Sequence, residues 1–193
     1  MKLKRKIILT IIAIIMAPLV LSNIWSFVVE GIFRMPSEMK KEEVCFLAPG
    51  LTWNSSMSDV AEVFGKPVEK GVYNDITGNT ENTYETEYQN HPMTVYATKR
   101  AFMLTEMFCR NKVHEYVFLI ECFDEEDARS VFENLCSGLV EVVKSNERVE
   151  NLKNSENEFA LSINYGAPRI SYDIELFETN GEYTVRFVAD ALY

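Results

Sequence analysis

The chain has only two histidines, His91 and His114, and neither belongs to an H-x-x-x-H or H-E-x-x-H pattern. A helix-borne zinc hydrolase site therefore has no ligands to start from. The four cysteines, Cys45, Cys109, Cys122 and Cys136, include no C-x-x-C pair, which leaves neither a zinc ribbon nor a thioredoxin-type redox motif. Glycines are few and isolated. Gly65, Gly71 and Gly78 do not make the rich loop that cradles a phosphate. No G-x-S-x-G supports a serine nucleophile among the many serines.

Positive charge is also scarce. Of 19 basic and 29 acidic residues, five basic (Lys2, Lys4, Arg5, Lys6, Arg34) and one acidic (Glu30) fall within residues 1–34. The remainder has 14 basic against 28 acidic residues, a net charge of -14. Such a body repels phosphate backbones, so nucleic acid is not an expected partner. The composition, 47% hydrophobic and 25% charged, is that of a globular domain rather than a disordered chain.

One long apolar run is present. Residues 7–29, "IILTIIAIIMAPLVLSNIWSFVV", carry no charged side chain and follow "MKLKRK". As a helix rising about 1.5 Å per residue, these 23 positions reach about 34 Å, enough to cross a hydrocarbon core of about 30 Å. The basic stub would stay cytoplasmic and send the C-terminus outward, with Trp25 and Phe27 at the far interface. Pro18 would kink the span without forbidding it. No A-x-A cleavage site follows, and Cys45, preceded by "KKEEV", is not in a lipoprotein context. The preferred reading is an uncleaved membrane anchor. A cleaved signal would export the same domain, and a buried core helix is the third possibility. Residues 1–29 then form stub and anchor, 30–44 a polar linker, and 45–193 an extracytoplasmic domain.

Within that domain Met57, Val60, Ala61 and Phe64 follow a helical i, i+3, i+4, i+7 rhythm. Asn54, Ser55 or Ser56 can cap it, Asp59 lies in its first turn, Gly65 fits the left-handed position past its end, and Pro67 stops it. Residues 68–82 read as a loop with a short strand at 68–73. Strand-like runs follow at about 83–89, 93–99, 101–109 and 113–122, broken by "QNHP" and "CRNK". In the last run Val117 and Leu119 keep the second face apolar, as in a central strand buried on both sides. Residues 124–144 make the clearest helix. Asp124 can cap it, and Ala128, Val131, Phe132, Leu135, Leu139, Val142 and Val143 form its apolar stripe. Residues 145–157 read as a polar connection.

Three alternating runs close the chain, at 159–165, 170–176 and 183–189. Asn180-Gly181 predicts a two-residue type I′ hairpin with Thr179 facing Glu182. Leu176 then faces Val185, Ile174 faces Phe187, Tyr172 faces Ala189, and Glu175 meets Arg186 on the other side. The fold class expected is α+β: an antiparallel sheet of about six to seven strands, one face covered by two helices, preceded by the N-terminal transmembrane helix. Helix-then-strands occurs twice, without a sequence repeat.

Pro49-Gly50-Leu51-Thr52, the short amphipathic helix and Gly65-Lys66-Pro67 resemble the opening of exported domains of the SmpA/OmlA type. The layout is similar to one unit of the β-lactamase-inhibitor-protein fold. The resemblance covers residues 49–67 and implies an exported, non-enzymatic, sheet-plus-helix domain whose work is protein–protein contact. The chain departs from those families in having no lipobox cysteine, a long loop after Pro67, and a second helix with three further strands.

No assembled catalytic set is present, and no cofactor or metal is expected. The binding residue expected is Trp53, an aromatic on a loop just before a helix cap; the bland alternative is a hydrophobic staple packed on that helix. The loop 68–82 and the solvent face of the sheet are the expected contact surfaces. The function expected is that of a membrane-anchored, non-catalytic bacterial domain that binds another envelope or extracellular protein. Two alternatives stand beside it. One is an envelope enzyme using His91 and His114 with nearby acids. The other is a metal or thiol-redox module, for which Met103, Met107 and Cys109 share strand parity as soft ligands. Asn54-Ser55-Ser56 matches a glycosylation acceptor but is explained as a cap, and Asp124 to Asp127 lack the ligand spacing of a calcium loop. If 101–109 and 113–122 form a hairpin, Cys122 lies about 30 Å along the strand from Cys109, at about 3.3 Å per residue, too far for a disulfide.

Overall fold

A computed structural model describes residues 41–74, 79–100, 112–145, 153–156, 160–165 and 169–192. The membrane-span expectation for residues 7–29 and the strand expected at 101–109 lie outside them. Among the described residues no helix is long and apolar enough to cross a membrane.

Two helices and eight strands follow in chain order: α1 (Met57–Phe64), β1 (Glu69–Asn74), β2 (Asn79–Tyr88), β3 (His91–Arg100), β4 (Val113–Cys122), α2 (Glu125–Ser145), β5 (Lys153–Glu156), β6 (Ala160–Tyr165), β7 (Arg169–Thr179) and β8 (Glu182–Leu192). The strands make one antiparallel sheet in the order β1-β2-β3-β4-β8-β7-β6-β5. Each half is thus a helix followed by a four-stranded meander, and the last strands of the two meanders pair in the middle. The α+β class is as expected, with eight strands instead of about six to seven. One addition is β5, which falls in the stretch read as polar connection. A four-residue edge strand, KNSE, carries no alternation for sequence reading to find.

The C-terminal hairpin has the predicted register. Asn180 and Gly181 both adopt positive φ (57° and 84°), as a type I′ turn requires. Thr179 faces Glu182, Leu176 faces Val185, Ile174 faces Phe187 and Tyr172 faces Ala189. Arg186 donates to Glu175 at 2.7 Å on the opposite face. β4 is central, as expected, but its second face is only half-buried at Val117 and Leu119, because no described element packs there. Its two neighbours are β3 and β8. Both of its edges are therefore taken.

Both helices lie on one face. Phe64 of α1 meets Tyr84 and Phe118 at 6.1 and 6.3 Å between ring centroids. Ala128, Val131, Phe132, Leu135 and Leu139 of α2 are buried in the same core as Ile174, Val185 and Phe187; side chains beyond Glu141 of that helix are not described. Between the helices runs the segment leading into α1. Its Val44, Cys45, Leu47, Ala48, Leu51 and Trp53 are all buried. The core therefore begins at Val44, one residue inside the stretch read as linker. Tyr172 donates its hydroxyl to the Val44 carbonyl at 2.8 Å, and Phe46 packs edge-on against Phe187 at 5.8 Å.

The opening helix is closed at both ends by local chemistry. The Ser56 hydroxyl accepts the Asp59 N–H and the Asp59 carboxylate accepts the Ser56 N–H at 2.6 Å, a capping box. The Ser56 N–H first, then the Ser56 hydroxyl, which donates to Asp59 Oδ2 at 3.0 Å, hold the Asp59 carboxyl below its usual range. Gly65 takes φ 85° and ψ -158°, not the compact left-handed helix conformation expected. This region is open only to glycine, and it turns the chain so that the Val68 N–H reaches the Thr83 carbonyl at 2.9 Å.

Two glycine replacements should act with opposite sign. At Gly65 an added Cβ meets nothing within 4 Å, so the cost of Gly65→Ala is purely one of backbone conformation, about 1–3 kcal/mol. At Gly138, inside α2, a Cβ would rest 3.4 Å from the Phe46 ring, an ordinary contact, while alanine's helix propensity is better by up to about 1 kcal/mol. Denaturant unfolding of the full chain should show the first variant destabilised and the second unchanged or stabilised. Gly138→Leu, driven into Phe46, should be destabilised.

Candidate functional site

Polar and aromatic groups gather at the end of the sheet where β2 turns into β3, β4 ends and β8 begins. Gln89 and Asn90 join β2 to β3 with φ 50° and 70°, a two-residue turn in which Tyr88 faces His91. The sequence marked this break but not its type, since Gln is a poor occupant of a left-handed position. The turn puts His91 at the head of β3, 7% exposed.

His91 is held from both sides. Its Nδ1 lies 3.1 Å from the Tyr88 carbonyl, and its Nε2 lies 3.0 and 2.9 Å from the two carboxylate oxygens of Asp127. A carbonyl and a carboxylate can only accept, so whichever ring nitrogen carries a proton has an acceptor in place. Asp127 in turn is fixed by the start of α2. Its N–H donates to Asp124 Oδ1 at 2.9 Å, which confirms Asp124 as the cap, and its Oδ2 accepts the Phe123 N–H at 2.9 Å. The Phe123 N–H above all, then His91 by hydrogen bond and charge, hold the Asp127 carboxyl below its usual range against the opposing effect of burial. Asp127 thus clamps the helix N-terminus to the β2–β3 turn. No local pattern announces a pair 36 residues apart, which is why sequence reading saw only a first-turn acid.

Both ring nitrogens of His91 lie against acceptors of the chain itself. His114 is buried at the other end of the sheet. The β3–β4 register brings His91 level with Cys122, eight residues from His114, or about 26 Å at about 3.3 Å per residue. The two histidines therefore cannot share one reaction centre. Cys122, beside the clamp, is half-buried, and burial first, then the Asp127 charge, push its thiol up to about 11. Burial likewise pushes Cys45 up to about 12. Neither is a thiolate near neutrality. Cys136 is half-buried on α2, and no disulfide is present among the described residues. No cluster of three or more His, Cys, Asp or Glu suited to a metal occurs among them either. Met103, Met107 and Cys109 lie outside the described residues.

Trp53 is not where a surface anchor would be. It is 2% exposed, its ring 6.4 Å from Tyr172. The segment holding it is drawn inward because the Ser55 carbonyl accepts the Val113 N–H at 3.1 Å and the Lys112 ammonium reaches the Asn54 carbonyl. The binding role expected of Trp53 is replaced by a core role; it packs on the sheet and not as a staple on display.

Apolar surface is exposed elsewhere. Phe123 is 75% exposed, Tyr73 56%, Val68 54% and Val72 49%. The last three flank or belong to the edge strand β1, within the stretch 68–82 expected to make contacts. On the helix-free face, Glu81, Thr98, Glu115 and Asp190 fall in one cross-strand row. Burial, then Glu115, raise the Glu81 carboxyl above its usual range, the mark of a crowded acidic surface.

No family model, curated protein or solved structure matches the chain.

The clamp makes stability depend on acid. Because the Asp127 carboxyl is depressed in the folded chain, its contribution is complete above the unfolded carboxylate range, near pH 4, and fades as pH falls through the folded value. Asp127→Asn should cost about 1–2 kcal/mol at neutral pH. The gap from wild type should narrow as unfolding is repeated at lower pH, whereas a gap independent of pH would contradict the charged clamp.

Proposed function

We propose that this protein is a membrane-anchored extracytoplasmic domain that binds another envelope or extracellular protein and performs no catalysis. The anchor rests on residues 7–29 with their basic stub. The observation that carries the binding role is the edge strand β1. Val72 and Tyr73 stand about half exposed on it, Val68 precedes it, and among the described residues no strand lies beyond it in the sheet order. Such an edge either is protected or recruits a strand or surface, and apolar side chains do not protect it. The acidic character of the sheet argues for protein over nucleic acid or an anionic lipid surface. The resemblance of residues 49–67 to exported protein-binding domains agrees with this reading. His91, spent on the clamp, counts against the enzyme alternative.

A photo-crosslinking residue at Val72 in the full-length chain, expressed in intact cells, should give a discrete conjugate that the same residue at Glu62 of α1 does not give. The chain should sediment with membranes, and added protease should reach its body only from the outer side. A cytosolic, freely soluble chain would overturn the reading, as would equal labelling from the two positions.

A further inference from the structure

The edge strand β1 is guarded only along its first half. Lys70 stands exposed there, and a bulge follows at Gly71. A charged side chain and a bulge are two devices by which sheet edges refuse a further strand. The bulge is held from inside the sheet. Gly71 takes φ 70°, its N–H donates to Asn82 Oδ1 at 2.9 Å, and the buried Asn82 donates through Nδ2 to the Tyr84 hydroxyl at 3.1 Å. Past it the pairing with β2 is regular: Val72 with Glu81, Tyr73 with Thr80, Asn74 with Asn79. Val72 and Tyr73 are 49% and 56% exposed, and this second half carries neither a charge nor a proline.

The two faces of this edge differ in chemistry. Val72 lies on the helix-free face with its partner Glu81, and Glu69, opposite Thr83, lies on that face too. Tyr73 and Lys70 lie on the other side, opposite Thr80 and Asn82. The carboxylates of the helix-free face are close enough to act on one another. Burial first, then Glu115, raise the Glu81 carboxyl; the Thr98 hydroxyl opposes and Glu69 adds. An antiparallel second copy of β1 would bring two such acidic faces side by side, where like charges repel. A strand that carries basic side chains to this face is matched instead.

We propose that β1 takes up an extended segment of a partner protein in which basic and apolar residues alternate, added to the sheet as a further strand. A regular strand can follow this edge past the bulge, as β2 does on the other side. Basic residues opposite Glu69 and Val72 then lie on the helix-free face. The first meets the Glu69 carboxylate; the second covers Val72 with its aliphatic stem and carries its charge toward Glu81. The apolar residues between them fall on the other side, opposite Lys70 and Tyr73. Main-chain hydrogen bonds supply the affinity and the alternation supplies the specificity. This names the kind of partner for the binding role proposed above and rests on it.

The test uses the full-length chain in neutral detergent and a short labelled peptide in which arginine and valine alternate. It should bind, and weaken as salt rises from about 50 to about 300 mM. A peptide of the same composition with all its arginines first should bind at least about fivefold more weakly, because its charges no longer share one face. N-methylation of alternate residues should abolish binding for one of the two alternate sets and spare the other, since only one edge of an added strand is paired. Tyr73→Asp should weaken binding about fivefold or more although it adds negative charge, with an unfolding curve close to wild type. Glu69→Gln with Glu81→Gln should weaken binding about tenfold. Glu62→Gln with Glu133→Gln, an equal change of net charge on the two helices, should weaken it less than about threefold. Equal binding by the two N-methylated sets would overturn strand addition, as would equal loss from the two glutamine pairs or tighter binding by Tyr73→Asp. If Val72 still gives its specific conjugate in cells while the peptide fails these tests, the binding role stands and this assignment alone falls.

Discussion

The pairing of β4 with β8 is the contact on which the rest depends. It is the only seam between two four-stranded meanders, and Phe118 faces Phe187 across it, their rings 5.8 Å apart. Sixty-nine positions separate these two residues. Closing that loop is entropically costly, so the seam holds only because it is covered by both helices and the buried segment between them. Phe187 shows the economy of the arrangement: it also meets Phe46 and Tyr172, tying seam, lead-in segment and outer meander into one aromatic cluster. Burying such rings is the largest favourable term a domain of this size commands.

With one sheet face spent on the core, the other face and the sheet edges remain for contact. Antiparallel sheets tolerate this asymmetry because alternate side chains can face water. Here the free face carries carboxylates in a cross-strand row, Glu81, Glu115 and Asp190, and the Glu175–Arg186 pair, while the covered side supplies stability. Among the described residues the most exposed large apolar groups are Phe123, Tyr73, Val68 and Val72, with Val63 of α1 and Phe177 of β7 less so.

The corner where β2 turns into β3 shows how a polar cluster can be structural. His91 is spent on holding Asp127, and Asp127 on holding the Phe123 backbone and the helix start. A half-buried carboxylate that accepts from a backbone N–H and an imidazole is satisfied on both oxygens, which is the condition for keeping it there. The result is a fixed helix entry beside an exposed ring.

Much of this was legible along the chain. Asn180-Gly181 and the alternation on either side determined the last hairpin to the residue, because a two-residue turn and a period of two admit one register. Ser56, Asp59, Gly65 and the apolar rhythm between them marked the first helix for the same local reason, and Asp124 with Ala128 to Leu139 marked the second. What the tertiary structure alone decided concerns groups whose partners are remote in sequence. Trp53 read as a surface aromatic because its loop gave no sign that Ser55 and Asn54 would be bonded to the start of β4 and pull it inward. β5 escaped notice because an edge strand needs only backbone pairing, which leaves no imprint on side-chain order. The His91–Asp127 clamp and the exposed ring beside it depend on a turn and a helix cap meeting across 36 residues. Local spacing specifies turns, caps and faces, since these are set by neighbours within a few residues; which faces meet is set by packing across the whole sheet, and that decided which aromatic, Trp53, is buried and which, Phe123, is exposed.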